Sequence, residues 1–226
     1  MKLNVAVDIA LISLVFVFSG CAGERLNVSY NANQGQVTMI PKPVIGTLLT
    51  VVDARQGTQT YPKQIIKRTD YSGNVRYEIN DKTVSDVFRD SIEAELGRLG
   101  VKMVRTGLAT PLDRQSAAKV RKELMEQYPD VQVAFGAKVM DFMADSRRNL
   151  VGSHVKVTGS FKLYVLDVKT GDVLWSDYKA QSENKLTTSD RNKLIKRLDK
   201  ALAKLINKGI LDNQSLRDLL VKISSR

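Results

Sequence analysis

The chain has 226 residues, of which 43% are hydrophobic and 26% are charged, and its formal net charge is +11. This composition excludes a low-complexity or fibrous chain and provides enough apolar residues for one ordinary globular core. The charge favours anionic partners such as lipid headgroups, lipopolysaccharide phosphates or peptidoglycan carboxylates. The one cysteine excludes an intrachain disulfide, and the one histidine excludes a metal site built from several histidines.

The first 20 residues have the pattern of an export signal. Lys2 supplies the positive charge, and an apolar run extends from Val5 to Phe18 with Asp8 inside it. A helix of this length spans roughly 21 Å, which is shorter than the hydrocarbon core of roughly 30 Å. The pattern therefore predicts a removable signal rather than a membrane-spanning helix. Export also places the mature chain out of reach of nucleic acid.

Cys21 follows the small residues Ser19 and Gly20 at the end of this apolar run. This order is typical of bacterial lipoprotein signals, in which the cysteine sulfur receives diacylglycerol and the new amino group is acylated. We therefore expect lipidation of Cys21 and attachment to a membrane through its acyl chains. Ala22 rather than an aspartate follows it, which predicts sorting to the outer membrane, with the domain facing the periplasm. The alternative is an ordinary secretory signal that ends at a cysteine.

The segment after Cys21 is predicted to be a tether up to Pro43, interrupted by a short strand because Leu26, Val28 and Tyr30 alternate with polar residues. The predicted organisation is a signal peptide at residues 1–20, the lipidated cysteine and tether at 21–43, and a single α+β domain at 44–226.

The first half of this domain begins with a strand at Val44–Asp53. Weaker strand signals follow at residues 61–80, with a hairpin turn at residues 72–74. Thr83 or Ser85 can cap a helix that runs to about Leu99, and Gly100 ends it. A short strand at residues 101–104 and a loop at 106–116 complete this half.

The second half is predicted to contain a helix from about Ala117 to Tyr128 and three long strands. The strands lie at residues 131–141, 151–167 and 173–180, joined by a polar turn at 147–149 and a hairpin turn at 169–172. Helices at 189–208 and 214–223 close the chain, with Gly209 between them. The predicted fold is α+β, with an antiparallel or mixed sheet, a long three-stranded meander and helices packed on one face.

No catalytic constellation is recognisable in the sequence. His154 is the one histidine, Cys21 is expected to carry lipid, and neither a nucleophile elbow nor a glycine-rich phosphate loop occurs. Acidic pairs such as Asp141 with Asp145 lie at strand ends or turns, where carboxylates usually accept local hydrogen bonds. We therefore expect no enzyme activity, no cofactor and no metal. Trp175 is expected to pack in the core or on the sheet face.

The helix that begins at Ser189 has one apolar stripe and a strongly basic remainder. It can lie against anionic lipid or glycan, at about 1 kcal/mol for each basic residue near a charged surface. The alternative is a core-packing helix with a solvated outer face. The candidate contact residues are Arg191, Lys193, Lys196, Arg197, Lys200 and Lys204.

Several segments of the chain resemble the YajG-like family of bacterial lipoproteins. The matching features are the lipoprotein signal, VVDAR at residues 51–55, SDVF at 85–88, EAEL at 93–96 and KTGDVLW at 169–175. The resemblance implies a non-enzymatic domain anchored at the outer membrane. Asp53 and Arg55 lie within the first of these segments, and we expect them to form a local ion pair that fixes the exit of the strand.

The leading hypothesis is a lipid-anchored periplasmic interaction module that brings envelope partners together, with an envelope protein as its partner. A second hypothesis is the handling of lipid or lipopolysaccharide within a transport system, which requires an apolar cavity under the sheet. A third is contact with peptidoglycan through the basic helix.

Overall fold

The computed structural model describes residues 24–26, 28, 30, 37–56, 64–70, 73–79, 81–149, 152–186 and 191–226. The predicted signal peptide and Cys21 lie outside these residues. The described part of the chain forms eight strands and four α-helices. In chain order they are β1 Glu24–Leu26, β2 Val44–Asp53, β3 Gln64–Asp70, β4 Gly73–Ile79, α1 Val84–Leu99, β5 Val101–Met103, α2 Ala117–Gln127, β6 Val133–Asn149, β7 Gly152–Asp167, β8 Val173–Leu186, α3 Arg191–Ile206 and α4 Gln214–Ser224.

All eight strands belong to one mixed sheet built around β6. The long antiparallel meander β6–β7–β8 occupies one side of β6. The other side is shared by two parallel neighbours, β2 along the first half of β6 and β3 along the second half. Strand β5 extends the sheet beyond β2, whereas β4 and then β1 extend it beyond β3. The predicted α+β class, mixed sheet and three-stranded meander are confirmed.

The meander strands are longer than the sequence predicts. Arg147, Arg148 and Asn149 lie within β6, where they pair with His154, Ser153 and Gly152, so the predicted polar turn at 147–149 is wrong. Strand β8 likewise continues to Leu186. Because the backbone ladder needs no apolar side chains, strands can continue as polar sequence past the edge of the core.

The first hairpin also differs in detail. Gly73 is part of β4 and pairs with Asp70 of β3. It therefore lies in the strand and not in the predicted turn. Ser72, which is predicted to lie in the turn, is outside the described residues.

The core is divided between the two faces of the sheet. On one face, buried residues of α1, α3 and α4 pack against β2, β6 and β7. On the opposite face, Val120 and Leu124 of α2 pack against Leu49, Ala134 and Leu166. The sequence placed all helices on one face; three of them are there, and the short helix α2 covers the start of β6 on the other.

The ends of α1 agree with the predicted caps. Thr83 accepts from the backbone N–H of Asp86 and donates its own N–H to the Asp86 carboxylate, which completes a capping box. Gly100 follows with φ 99°, the left-handed conformation that glycine adopts without strain.

Helix α3 passes into a π-helical turn at Asn207–Leu211 before α4 begins. A Cβ atom on Gly209 would lie 2.5 Å from Cζ of Phe161, so this close approach to the sheet requires glycine.

Candidate functional site

The candidate site is the part of the sheet face that α2 leaves uncovered. The residues that share this face in register are Lys138, Lys162 and Asp177 in one row and Tyr164 with Trp175 in the next. Trp175 is 38% exposed, and it lies on β8, which pairs only with β7 among the described strands and so forms an edge of the sheet. We call Arg114, Lys138, Lys162, Trp175 and Asp177 the Trp175 surface.

Two cations flank the indole ring of Trp175. Cζ of Arg114 lies 4.0 Å from the ring centroid, and Nζ of Lys162 lies 5.9 Å from it. Nζ of Lys162 is also 3.6 Å from Oδ1 of Asp177 on the paired strand. Cation–π contacts at exposed sites contribute about 0.5–1 kcal/mol, which is enough to bias the position of the arginine. The result is an aromatic plane bordered by positive charge.

The loop that carries Arg114 is fixed onto the sheet. Asp113 accepts hydrogen bonds from the N–H groups of Gln115 and Ser116 at 2.9 and 2.8 Å. The bond from the Ser116 backbone is the largest of the causes that lower the pKa of Asp113 below its usual 3.8. Leu112, the residue before, is buried against Gly136, where an added Cβ would lie 2.6 Å from Cβ of Leu112. This local structure holds Arg114 beside Trp175.

The ion pair between Asp53 and Arg55 is present at the end of β2. The guanidinium of Arg55 donates from Nε to Oδ1 of Asp53 at 2.9 Å and from Nη2 to Oδ2 at 2.7 Å. Nη1 donates to the carbonyl oxygen of Phe142 on β6 at 3.2 Å. Arg55 is buried, and these bonds join it to groups of the sheet and of its exit. The pair therefore stabilises the end of the strand.

The described residues of the N-terminal segment, which is predicted to be a tether, pack against the domain. Val28 and Ile40 are buried, and the N–H of Ile40 donates to the carbonyl of Leu99. The Tyr30 hydroxyl donates to Oε1 of Glu95 at 2.5 Å and lies 3.3 Å from Oδ1 of Asn207. We call the described residues of segment 24–40 the strap. Few apolar residues lie near Val28 and Ile40 in the sequence. Their burial therefore depends on contacts with residues far along the chain.

Glu95 is the buried centre of the contacts that hold the strap. Its side chain is 0% exposed, and Nη1 of Arg98 donates to both of its carboxylate oxygens at 2.8 and 2.9 Å. Burial of Tyr30, followed by its bond to Glu95, raises the pKa of Tyr30 well above its usual 10.0. Tyr30 thus keeps its proton and acts as a donor to the carboxylate. The sequence predicted an alternating strand here but not these contacts.

The basic helix α3 is a core helix with a basic outer surface. Leu194, Leu198, Leu202 and Leu205 are buried, whereas Lys193, Lys196, Lys200 and Lys204 are exposed. Arg197 differs from the lysines because it is half-buried, and its Nη1 is buried with no hydrogen-bond partner in the described part of the chain. The side chain of Arg191 lies outside the described residues.

A cavity of about 340 Å³ lies at the ends of β6 and β7, between the end of α2 and the end of α4. It is lined mainly by apolar residues, and it also contains the ion pair of Asp167 with Arg226, whose shortest N–O distance is 2.8 Å. Because it lies beside the strand ends, it is not the cavity under the sheet that the lipid-handling hypothesis requires. Its volume is at the lower end of the range for small-molecule pockets.

Neither metal clusters nor membrane-spanning helices are found in the described ranges. No group of three His, Cys, Asp or Glu residues there could hold a metal ion, and no helix there is long and apolar enough to cross a membrane. Of the functional residues, sequence reasoning missed the exposure of Trp175. A signal for it was present, since Asp177 and Lys179 share the strand face of Trp175 and are charged.

Comparisons with known proteins identify a fold but no family. No family model matches the chain, and no curated protein matches it. A crystal structure from Xanthomonas campestris, described by the family model DUF330, has a TM-score of 0.55 at 8% identity and covers 88% of this chain and 99% of its own. Two other structures are less similar. A dodecamer of a PelC variant from Paraburkholderia phytofirmans has a TM-score of 0.38 at 9% identity and covers 80% of this chain and 98% of its own. Lipoprotein GNA1162 from Neisseria meningitidis has a TM-score of 0.35 at 12% identity and covers 72% of this chain and 99% of its own. The fold of this chain is therefore similar to that of the Xanthomonas protein.

Proposed function

We propose that the protein is a non-enzymatic interaction module of the bacterial envelope, held at the outer membrane by acyl chains on Cys21 and facing the periplasm. The resemblance to YajG-like lipoproteins and the residues before Cys21 support the anchor. The observation that carries the interaction role is the Trp175 surface. Its partner is an envelope protein with an acidic contact site.

Charge and exposure support this choice of partner. Trp175 offers an apolar plane with Arg114 and Lys162 at its ring, and Lys138 on β6 is the register neighbour of Lys162. The acidic residues beside these three cations are Asp177 and Asp113. Aromatic and arginine side chains are enriched at the energetic centres of protein interfaces. An acidic site on the partner would be attracted over a distance of about the Debye length, roughly 8 Å at physiological ionic strength.

Photo-crosslinking in cells tests the interaction. A photoreactive amino acid is placed at position 175 of the full-length chain and, as a matched control, at Val221 of α4, which is 39% exposed. We expect one dominant crosslinked protein from position 175 and none of the same mass from position 221. The same adduct from both positions, or none from position 175, would contradict the assignment of the surface.

The anchor is tested separately. Cys21→Ser should move the protein from the membrane fraction to the soluble periplasm without unfolding it. A Cys21→Ser chain that stays bound through a high-salt wash would rule out anchoring by acyl chains.

The basic outer surface of α3 favours peptidoglycan contact as a second candidate function. Lys196, Lys200 and Lys204 are exposed and evenly spaced along the helix. Their replacement by glutamate should abolish co-sedimentation with peptidoglycan, and the matched replacement of exposed Lys102, Lys119 and Lys122 should not. Unchanged sedimentation of the α3 variant would remove this candidate.

A further inference from the structure

One row of paired residues crosses the sheet from the first strand to the last strand of the meander. Because β1 is parallel to β4, the chain before Glu24 points toward the end of the sheet where β3 meets β4 and β6 meets β7. We call the strand residues from this row to that end, 66–70, 73–77, 144–149, 152–157 and 182–186, the hairpin end. The row itself consists of Glu24, Tyr77, Ile66, Ala144, Val157 and Ser182.

The covalent chain limits how far Cys21 can lie from this row. Cys21 precedes Glu24 by three residues, which span at most about 11 Å in any conformation. Strand β6 continues from Ala144 to Asn149, about 16 Å past the row. The pairing of β1 with β4 and the bond from Tyr30 to Glu95 hold Glu24 at the sheet. Cys21 therefore cannot lie farther from the row than these three residues allow. A membrane that holds Cys21 therefore lies within reach of the hairpin end.

The hairpin end is also the basic end of the sheet. The opposite end of the meander, residues 133–137, 163–167 and 173–176, contains one charged residue, Asp167. At the hairpin end and in its first row, seven basic residues stand against four acidic ones, Glu24, Asp70, Asp145 and Glu183. The basic residues are Lys67, Arg68, Arg76, Arg147, Arg148, Lys156 and Lys185.

Cys21 must lie close to the hairpin end, and this end carries an excess of basic residues. We therefore infer that the hairpin end contacts the anionic phospholipid headgroups of the leaflet that holds the acyl chains, so that this end of the sheet faces the membrane. The inference rests on the proposed anchor at Cys21. Basic residues close to an anionic membrane are attracted to it, and the attraction falls off within a Debye length. Trp175 lies seven residues beyond Ser182 on β8, about 23 Å from the row and away from the membrane.

The same orientation divides the basic residues of α3 into two groups. Helix α3 begins after β8 ends at the hairpin end, and Leu205 near its other end lies against Gly159 of β7. Arg191 and Leu205 are about 21 Å apart along the helix axis. Only the first turns of α3 are therefore close to the headgroups, and Lys204 is too far from them to contribute.

Depth-dependent fluorescence quenching tests the orientation. The acylated mature chain carries a single fluorophore on Lys156→Cys at the hairpin end or on Lys169→Cys at the other end of β7; both lysines are exposed. Acylation is confirmed by mass before the protein is reconstituted in vesicles of phosphatidylethanolamine and phosphatidylglycerol with a headgroup-attached quencher. We expect strong quenching at position 156 and none at position 169. Equal quenching, or the reverse order, overturns the orientation alone, whereas a chain without acyl mass overturns the anchor as well.

The replacement of two arginines of the hairpin end by uncharged residues tests the contact with anionic lipid. In the Cys21→Ser chain, Arg147→Gln with Arg148→Gln should weaken binding to the same vesicles by about fivefold for each arginine removed. Lys119→Gln with Lys122→Gln removes the same charge from α2 and should change binding less than twofold, within the scatter of surface charge effects. An equal loss for both pairs overturns the inference that the hairpin end makes the contact.

Discussion

Tyr30→Phe is the change that most directly tests the strap. It removes a single hydroxyl that donates to Glu95 at 2.5 Å, and it leaves the ring in place. Because the Glu95 side chain is 0% exposed, water does not replace the lost donor, although Arg98 still pairs with both carboxylate oxygens. Hydrogen bonds to charged groups contribute about 1.5–3 kcal/mol, so we expect a loss of about 2 kcal/mol in the free energy of unfolding.

Urea unfolding of the mature Cys21→Ser chain measures this loss, with Tyr128→Phe as the matched control. The hydroxyl of Tyr128 accepts from the N–H of Gly107 at 3.0 Å in an exposed setting, so its removal should cost less than about 1 kcal/mol. Amide hydrogen exchange of Glu24–Leu26 should also become faster in Tyr30→Phe and stay unchanged in Tyr128→Phe, because the strap opens locally. Equal losses for the two variants would refute the assigned role of Glu95.

The pH dependence of stability follows from the same contact. The pKa of Tyr30 is raised in the folded state by burial and by Glu95, whereas in the unfolded chain it is about 10.0. The contribution of Tyr30 is therefore fully present below pH 10 and decreases as the pH rises above it, because the unfolded chain loses the proton first. The difference in unfolding free energy between wild type and Tyr30→Phe should shrink above this pH; a constant difference would contradict the donor role.

Three further changes test the fold and the site. Thr83→Ala removes the capping box of α1 and should lower the free energy of unfolding by about 1 kcal/mol in urea titrations, with no effect if the cap is unimportant. Gly209→Ala places a methyl group against Phe161 and should cost about 1–3 kcal/mol, measured in the same way; a neutral result would mean that the π-helical turn can shift. Trp175→Ala should change stability by less than about 1 kcal/mol, since the side chain is 38% exposed, while it weakens partner capture; a larger loss would identify Trp175 as a packing residue.

The parts of the fold that local sequence determines were predictable. Strand β2 lies at Val44–Asp53 as expected, and α1 lies between Thr83 and Gly100, whose capping chemistry involves neighbours in sequence. The ion pair of Asp53 with Arg55 spans two residues and could be expected for the same reason.

What the sequence did not reveal depends on contacts between distant residues. Tyr30 meets Glu95 across 65 positions, and nothing near residue 30 indicates that partner. The long ends of the meander carry polar residues, so hydrophobic alternation weakens where backbone pairing continues. Trp175 resembles a core residue by its type, and its exposure results from the short length of α2, which covers only the first part of the face.

The strap and the orientation together restrict which partners the Trp175 surface can meet. A tether of 22 residues would let the domain turn freely and would present every face to the membrane in turn. Under the proposed anchor, only two residues separate Cys21 from β1, so the domain keeps one end at the headgroups and Trp175 lies about 23 Å beyond the row of Glu24. At that distance the membrane charge is screened, because the Debye length is roughly 8 Å. In the proposed orientation the cations around Trp175 would therefore be available to a periplasmic protein rather than held at the lipid surface. Lengthening the chain between residues 23 and 24 should then reduce capture of that partner without altering the Trp175 surface itself.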